Sequence, residues 1–239
     1  MKNLYIIKAG STFATEAQRL GDFEDWVRRG LGEASCPVVV VDAEGGAPLP
    51  APERCAGAVV TGSHAMVTDN LPWSVAIERW IRELIATGVP FLGICYGHQL
   101  LGRAAGGEVG YHPRGREVGT VSIELTPDGE RDPLFDAIPA HFAAHATHAQ
   151  SVQRLPDGAL RLACNDFEPN HAFRVGDSAW GVQFHPEYTR EIMDTYVRDE
   201  IADLEAEGGE AGALRDAVSD APFARWVLTN FASVVSRRL

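Results

Sequence analysis

The segment Val89-Pro90-Phe91-Leu92-Gly93-Ile94-Cys95-Tyr96-Gly97-His98-Gln99-Leu100-Leu101 constrains this chain more than any other. An apolar run of strand length ends in Gly-x-Cys-x-Gly, and a helical pattern starts at once. That is the layout of a nucleophile elbow, met most often with serine. The strand delivers a nucleophile to a tight, strained turn, and the flanking glycines make room for backbone and substrate beside it. The helix that follows points its free N–H groups and positive dipole end at the sulfur, a setting that favours a thiolate. Taken alone, the pattern leaves two readings open: a catalytic cysteine, or a buried core cysteine of the common kind.

The rest of the chain repeats the alternation of strand and helix, the signature of a mostly parallel open sheet with helices on both faces. Leu4–Lys8, the valine-rich Pro37–Asp42, Gly57–Thr61 and Val89–Ile94 read as its strands. Ala14–Leu31 reads as one helix, with Phe23, Trp26, Val27 and Leu31 at helical spacing. Pro72–Thr87 reads as another, opened by a proline suited to a first helical position and carrying a long apolar stripe. Gly97–Ala105 is the helix behind the elbow. From Val118 onward the texture changes to short alternating strands, Thr120–Leu125, Phe142–Ala146, Ala159–Cys164 and His171–Val175. These suit antiparallel pairing at the sheet edge or on a small side sheet. Trp180–Phe184 returns to the core. Arg190–Glu205 reads as a helix, Ala206–Gly212 as an acidic small-residue hinge, and Pro222–Val235 as a closing amphipathic helix. The expected organisation is one catalytic domain over residues 1–205 and a helical extension over 206–239, packed on or next to it.

A catalytic thiol needs a base. Ala179-Trp180-Gly181-Val182-Gln183-Phe184-His185-Pro186-Glu187 places His185 at a strand end, with Glu187 two residues on to hold its tautomer. A lone histidine there can be structural; beside the elbow it completes a nucleophile–base–orienter set. Gly57-Ala58-Val59-Val60-Thr61-Gly62-Ser63-His64 is a further strand running into a glycine turn. Backbone N–H groups at Gly62 and at Tyr96, the residue after the cysteine, can stabilise an oxyanion. Gly62, Cys95 and His185 all fall at strand ends, where open α/β sheets bind ligands.

Gly-Ile-Cys-Tyr-Gly-His-Gln followed by Gly-Val-Gln-Phe-His-Pro-Glu resembles the class I glutamine amidotransferases, and most closely the glutaminase domain of GMP synthase and its free-standing relatives. The resemblance runs from Leu4 to Tyr188. It implies a flavodoxin-like fold, a Cys95–His185–Glu187 triad and an oxyanion hole from Gly62 and Tyr96. It implies a substrate contact at Gln99. Thr147-His148-Ala149-Gln150-Ser151-Val152 matches a segment whose backbone helps bind the substrate α-carboxylate, although the family's His-Gly-Asp-x-Val has become His148-Ala149-Gln150 here. No metal and no organic cofactor is implied.

The remaining features set limits. A net charge of −12 over 239 residues argues against nucleic-acid backbones and anionic membranes as partners. No apolar run approaches a membrane span, and Met1-Lys2-Asn3 leads directly into the first strand rather than a signal sequence. Cys36, Cys55, Cys95 and Cys164 have neither metal-type spacing nor the density of a disulfide scaffold. A catalytic thiol favours a reducing compartment, so a cytoplasmic protein is expected. Neither a P-loop nor a Ser-Gly-Gly-x-Asp-Ser loop occurs, so an ammonia acceptor is expected on another chain or not at all. Three activities follow: hydrolysis of glutamine to glutamate and ammonia for such an acceptor, hydrolysis of other γ-glutamyl amides or peptides by the same triad, or ligand binding without turnover. Histidines 64, 98, 112, 145, 148 and 171 cluster in the segments around the expected site.

Overall fold

The computed structural model describes residues 2–199 and 215–239. Its first half alternates β1 (Asn3–Lys8), α1 (Ala14–Leu20), α2 (Phe23–Leu31), β2 (Val38–Asp42), β3 (Cys55–Val60), α3 (Pro72–Thr87), β4 (Phe91–Ile94) and α4 (Tyr96–Ala104). The second half adds β5 (Glu108–Tyr111), β6 (Glu117–Leu125), β7 (His141–His148), β8 (Gln150–Arg154), β9 (Leu160–Cys164), β10 (Ala172–Val175) and β11 (Ala179–Val182). Among the described residues, the helices α5 (Arg190–Asp199) and α6 (Trp226–Ser236) follow. The main sheet has the order β2-β1-β3-β4-β11-β10-β9-β6-β7, and β5 pairs with β8 alone. Strands β2, β1, β3, β4 and β11 are mutually parallel; every pairing from β11 outward to β7 is antiparallel.

Side-chain alternation in β1 shows why the sheet needs cover on both faces. Leu4 and Ile6 join a core with Val27 of α2 and Val227, Leu228 and Phe231 of α6. Tyr5 and Ile7 point the other way, into a core with Ile77, Trp80 and Ile81 of α3 and Leu100 of α4. Close approach of α6 depends on small residues: a Cβ on Gly30 would run into Leu228, and one on Gly57 into Val235.

The structure corrects the single helix expected over Ala14–Leu31. The chain breaks at Gly21, whose φ is +88°, and starts again with a capping box in which Asp22 caps α2 and Asp25 returns the bond. Lys8 pairs with Asp22 at 2.7 Å and with Glu24 at 3.0 Å, tying the break to the end of β1. A cap motif here overrides an unbroken helical pattern. The short alternating strands extend the main sheet along its edge, and the two-stranded side sheet is built from β5 and β8, which the sequence reading passed over. The helix expected over Arg190–Glu205 is described as far as Asp199; the rest of it, and the hinge expected over Ala206–Gly212, lie outside the described residues. No described helix is long and apolar enough to cross a membrane.

Candidate active site

Cys95 sits between β4 and α4 with φ 49° and ψ −96°, a strained conformation for a residue with a side chain. Main-chain packing holds it there. Its N–H donates to the Val182 carbonyl of β11 at 2.8 Å, and its carbonyl accepts from Gln99 at 3.1 Å. A Cβ on Gly93 would strike the Gly97 carbonyl, and a Cβ on Gly97 would strike the Val60 carbonyl of β3. The two glycines of the elbow therefore let the strand, the helix and the neighbouring strand meet backbone to backbone.

His185 follows β11, the parallel neighbour of β4, and so reaches the same sheet end. Its backbone N–H donates to the His145 carbonyl of β7 at 2.8 Å. Its Nδ1 lies 2.7 Å from Oε1 of Glu187, and both side chains are buried. The ring of Tyr188 stacks on the imidazole, with centroids 4.0 Å apart and planes 22° from parallel. Burial opposes a charge on His185, but the Glu187 carboxylate and the Cys95 sulfur outweigh it and push its pKa up to about 10. With Nδ1 committed to Glu187, Nε2 is the nitrogen left to exchange a proton with the thiol. The Cys95 sulfur also lies 3.8 Å from the Thr147 carbonyl.

The expected oxyanion donors meet at the same place. A Cβ on Gly62 would lie 3.0 Å from Cε1 of His185 and 3.9 Å from Cβ of Cys95. Thr61 anchors this turn: its hydroxyl donates to the Gly62 carbonyl and accepts from the Ala9 N–H, both at 3.0 Å. Tyr96 opens α4, where backbone N–H groups lack helical partners, and its hydroxyl donates to Ser74 Oγ at 2.6 Å.

A cleft of about 240 Å³ opens over Cys95. One half is polar, lined by Gln99, Arg116, Thr147, His148, Ala149 and Gln150. Gln99 donates through Nε2 to the Gln150 carbonyl at 2.8 Å and to Gln183 Oε1 at 3.1 Å, leaving its Oε1 to meet a ligand. Gln150 donates to the Thr68 hydroxyl at 2.6 Å. His148 lies 3.1 Å through Nδ1 from the Gln150 carbonyl and 3.0 Å through Nε2 from Glu117 Oε2. His171 approaches the same carboxylate oxygen at 3.0 Å. Burial works against the Glu117 charge, but these two imidazoles hold its carboxyl well below the ordinary range. The group buttresses the wall that carries His148 and Ala149.

The other half is aromatic. Phe13, Phe23, His64, Tyr188 and Tyr196 line it, and of these the sequence pointed only to His64, as one of the histidines around the expected site. Phe23 was legible only as a core position of a helix, and Phe13 comes into reach because the chain breaks after α1. Of the clustered histidines, His64 and His148 reach the cleft. His98, His145 and His171 are buried behind it, and His112 stacks on Phe167 at 4.2 Å. Burial lowers His98 to about 3 and His145 to about 4, so both are neutral packing groups. Among the described residues no group of histidine, cysteine and carboxylate side chains is arranged to hold a metal ion.

An elbow cysteine, a buried histidine–carboxylate pair and a glycine turn stand together at the carboxyl end of a parallel sheet, the parts that cysteine-dependent acyl transfer requires. The class I glutamine amidotransferase family model matches residues 20–203, and the chain belongs to that family. It is 35% identical over 166 residues to a glutamine-hydrolysing GMP synthase of Aeropyrum pernix, a match covering 67% of this chain and 30% of that protein. It is 33% identical over 140 residues to γ-glutamyl peptidase 3 of Arabidopsis thaliana, covering 57% and 56% of the two chains. The chain thus spans between about a third and a little over half of these relatives. A glutamine amidotransferase structure from Thermotoga maritima superposes with a TM-score of 0.75 over 98% of this chain and 97% of that one, at 22% identity, which establishes the shared fold. Amide hydrolysis is the chemistry common to these relatives.

Proposed function

We propose that this enzyme hydrolyses the γ-carboxamide of glutamine through a cysteinyl thioester, with Cys95 as nucleophile, His185 as acid and base, and Glu187 as the group that orients His185. The observation that carries this is the buried 2.7 Å contact between His185 Nδ1 and Glu187, set beside a cysteine held at positive φ on the helix start. Cys95 Sγ attacks the amide carbon, forming the C–S bond while the carbonyl π pair moves onto oxygen. The Gly62 and Tyr96 N–H groups receive that oxyanion. The tetrahedral adduct collapses, the C–N bond breaks, and His185 Nε2 delivers its proton to the departing ammonia. His185 then takes a proton from water, which attacks the thioester and releases glutamate and the Cys95 sulfur. The polar half of the cleft, with Gln99 Oε1, His148, Ala149 and Gln150, is suited to the amino-acid end of the substrate. Relatives named as GMP synthases make a synthetase the natural recipient of ammonia. Relatives named as γ-glutamyl peptidases give the second reading, in which the same triad acts on larger γ-glutamyl amides.

Treatment with 6-diazo-5-oxo-norleucine, followed by intact-mass measurement and peptide mapping, tests the site. One adduct on Cys95, suppressed by excess glutamine, is the expected result. A folded sample modified on a different residue, or not at all, overturns it.

A further inference from the structure

We propose that the aromatic half of the cleft is a leaving-group subsite, and that the preferred substrates are γ-glutamyl amides whose nitrogen carries an uncharged apolar substituent. This rests on the Cys95–His185–Glu187 reading and adds the substrate class to it. The orientation comes from the chemistry. His185 must face the departing nitrogen in order to protonate it, so any group on that nitrogen extends to the His185 side of the sulfur. That side is where the rings lie. Tyr188 stacks on His185 at 4.0 Å, Tyr196 packs on Tyr188 at 5.1 Å, and Phe13 packs on Tyr196 at 5.3 Å. His64 lies against Phe13 at 4.7 Å and edge-on to Phe23 at 6.0 Å. A connected run of rings thus leads outward from the His185 imidazole, with Tyr188, Tyr196 and Phe23 buried beneath and Phe13 and His64 open at the cleft mouth.

Ammonia makes no use of such a surface, whereas an alkyl or aryl group buried on it gains roughly 25 cal/mol per Å² of apolar area removed from water. The surface is held in place by its own polar contacts: the Tyr196 hydroxyl lies 2.8 Å from the Thr12 hydroxyl and 3.2 Å from His64 Nε2. It is also uncharged. The rings around His64 desolvate it, and His185 repels a second charge, so its pKa falls below the ordinary 6.5. Burial likewise raises Tyr188 well above an ordinary phenol. A substituent ending in a carboxylate, as in a γ-glutamyl dipeptide, would have to give up water against these rings, which costs more than burying an alkyl or aryl group.

The test is a comparison of kcat/KM for glutamine, γ-glutamyl-benzylamide, γ-glutamyl-butylamide and γ-glutamylglycine, using the full chain and its Phe13→Ala and Phe13→Leu variants. Phe13 is partly open to solvent, so these variants should fold. The benzyl and butyl amides should exceed both glutamine and γ-glutamylglycine by tenfold or more. Phe13→Ala should cut the benzylamide-to-glutamine ratio at least fivefold, and Phe13→Leu should restore part of it. Glutamine or γ-glutamylglycine as the best substrate, or a ratio unmoved by Phe13→Ala, overturns the subsite while leaving the triad standing. Failure of the triad itself is recognised separately, by turnover that survives Cys95→Ala.

Discussion

Replacing Glu187 by glutamine isolates the orienting carboxylate from the base it serves. The side chain keeps its size and an oxygen at the position that now lies 2.7 Å from His185 Nδ1. What it loses is the negative charge that, with the Cys95 sulfur, lifts His185 to about 10 against the pull of burial. A hydrogen bond to a charged group contributes about 1.5–3 kcal/mol, so the protonated form of His185 should lose roughly ten- to a hundredfold in stability. Glu187→Gln should therefore lower kcat/KM for a γ-glutamyl amide by about 10–100-fold. His185→Ala removes the proton donor and acceptor altogether and should cost about 10³-fold or more. The assay is coupled glutamate release followed across the alkaline range. In Glu187→Gln the alkaline limb of kcat/KM should move to lower pH than in the parent enzyme, because His185 no longer has the carboxylate that raises its pKa. A Glu187→Gln defect larger than that of His185→Ala, or an alkaline limb that does not move, would refute the division of roles.

Other substitutions probe separate parts of the structure. Cys95→Ser should melt at close to the parent temperature yet lose at least about 10³-fold in turnover, since an alcohol at this elbow is poorly activated by the same base; retention of most activity in peptide-mapped protein would dismiss Cys95 as nucleophile. Gly97→Ala places a Cβ against the Val60 carbonyl and should destabilise by about 1–3 kcal/mol or more, read from urea unfolding; an unchanged midpoint would mean that the elbow is not packed as described. Glu117→Gln reports on the buttress behind His148. Because the folded carboxyl is held below its ordinary 4.5, the unfolded chain takes up the proton first. Its contribution is complete above pH 4.5 and is lost as pH falls toward the folded value. The difference in melting temperature between parent and variant should accordingly narrow on acidification below pH 4.5, and a gap independent of pH would contradict the charged cluster.

The sheet and the elbow were legible because each is written in neighbouring residues. Valine-rich strands, a proline at the first turn of α3 and glycines around Cys95 carry their own local reasons for being there. His185 and Glu187 were legible for the same reason, since two residues apart after a strand they are bound to meet. The break between α1 and α2 was missed because the apolar spacing from Phe23 to Leu31 continues smoothly from Ala14, while the deciding signals, Gly21 and the Asp22–Asp25 cap, are polar. Strands β5 and β8 were missed because β5 is short and mostly open to solvent, so it lacks the alternation that marks a half-buried strand. Of the aromatic wall only His64 stood out, as one of the histidines around the expected site. Phe13 and Tyr196 are far apart in sequence, and each by itself has an ordinary packing explanation.

The backbone contacts among Gly93, Gly97 and Val60 have an implication for how such an enzyme changes over time. They fix the sulfur through main-chain atoms, which side-chain substitutions elsewhere do not alter. Phe13 and His64, by contrast, hang from the ends of connecting segments at the cleft mouth. The elbow is thus mounted on a rigid bed while the cleft mouth is replaceable, and on the proposed subsite a different amine would be accommodated by exchanging a few rings without disturbing the elbow.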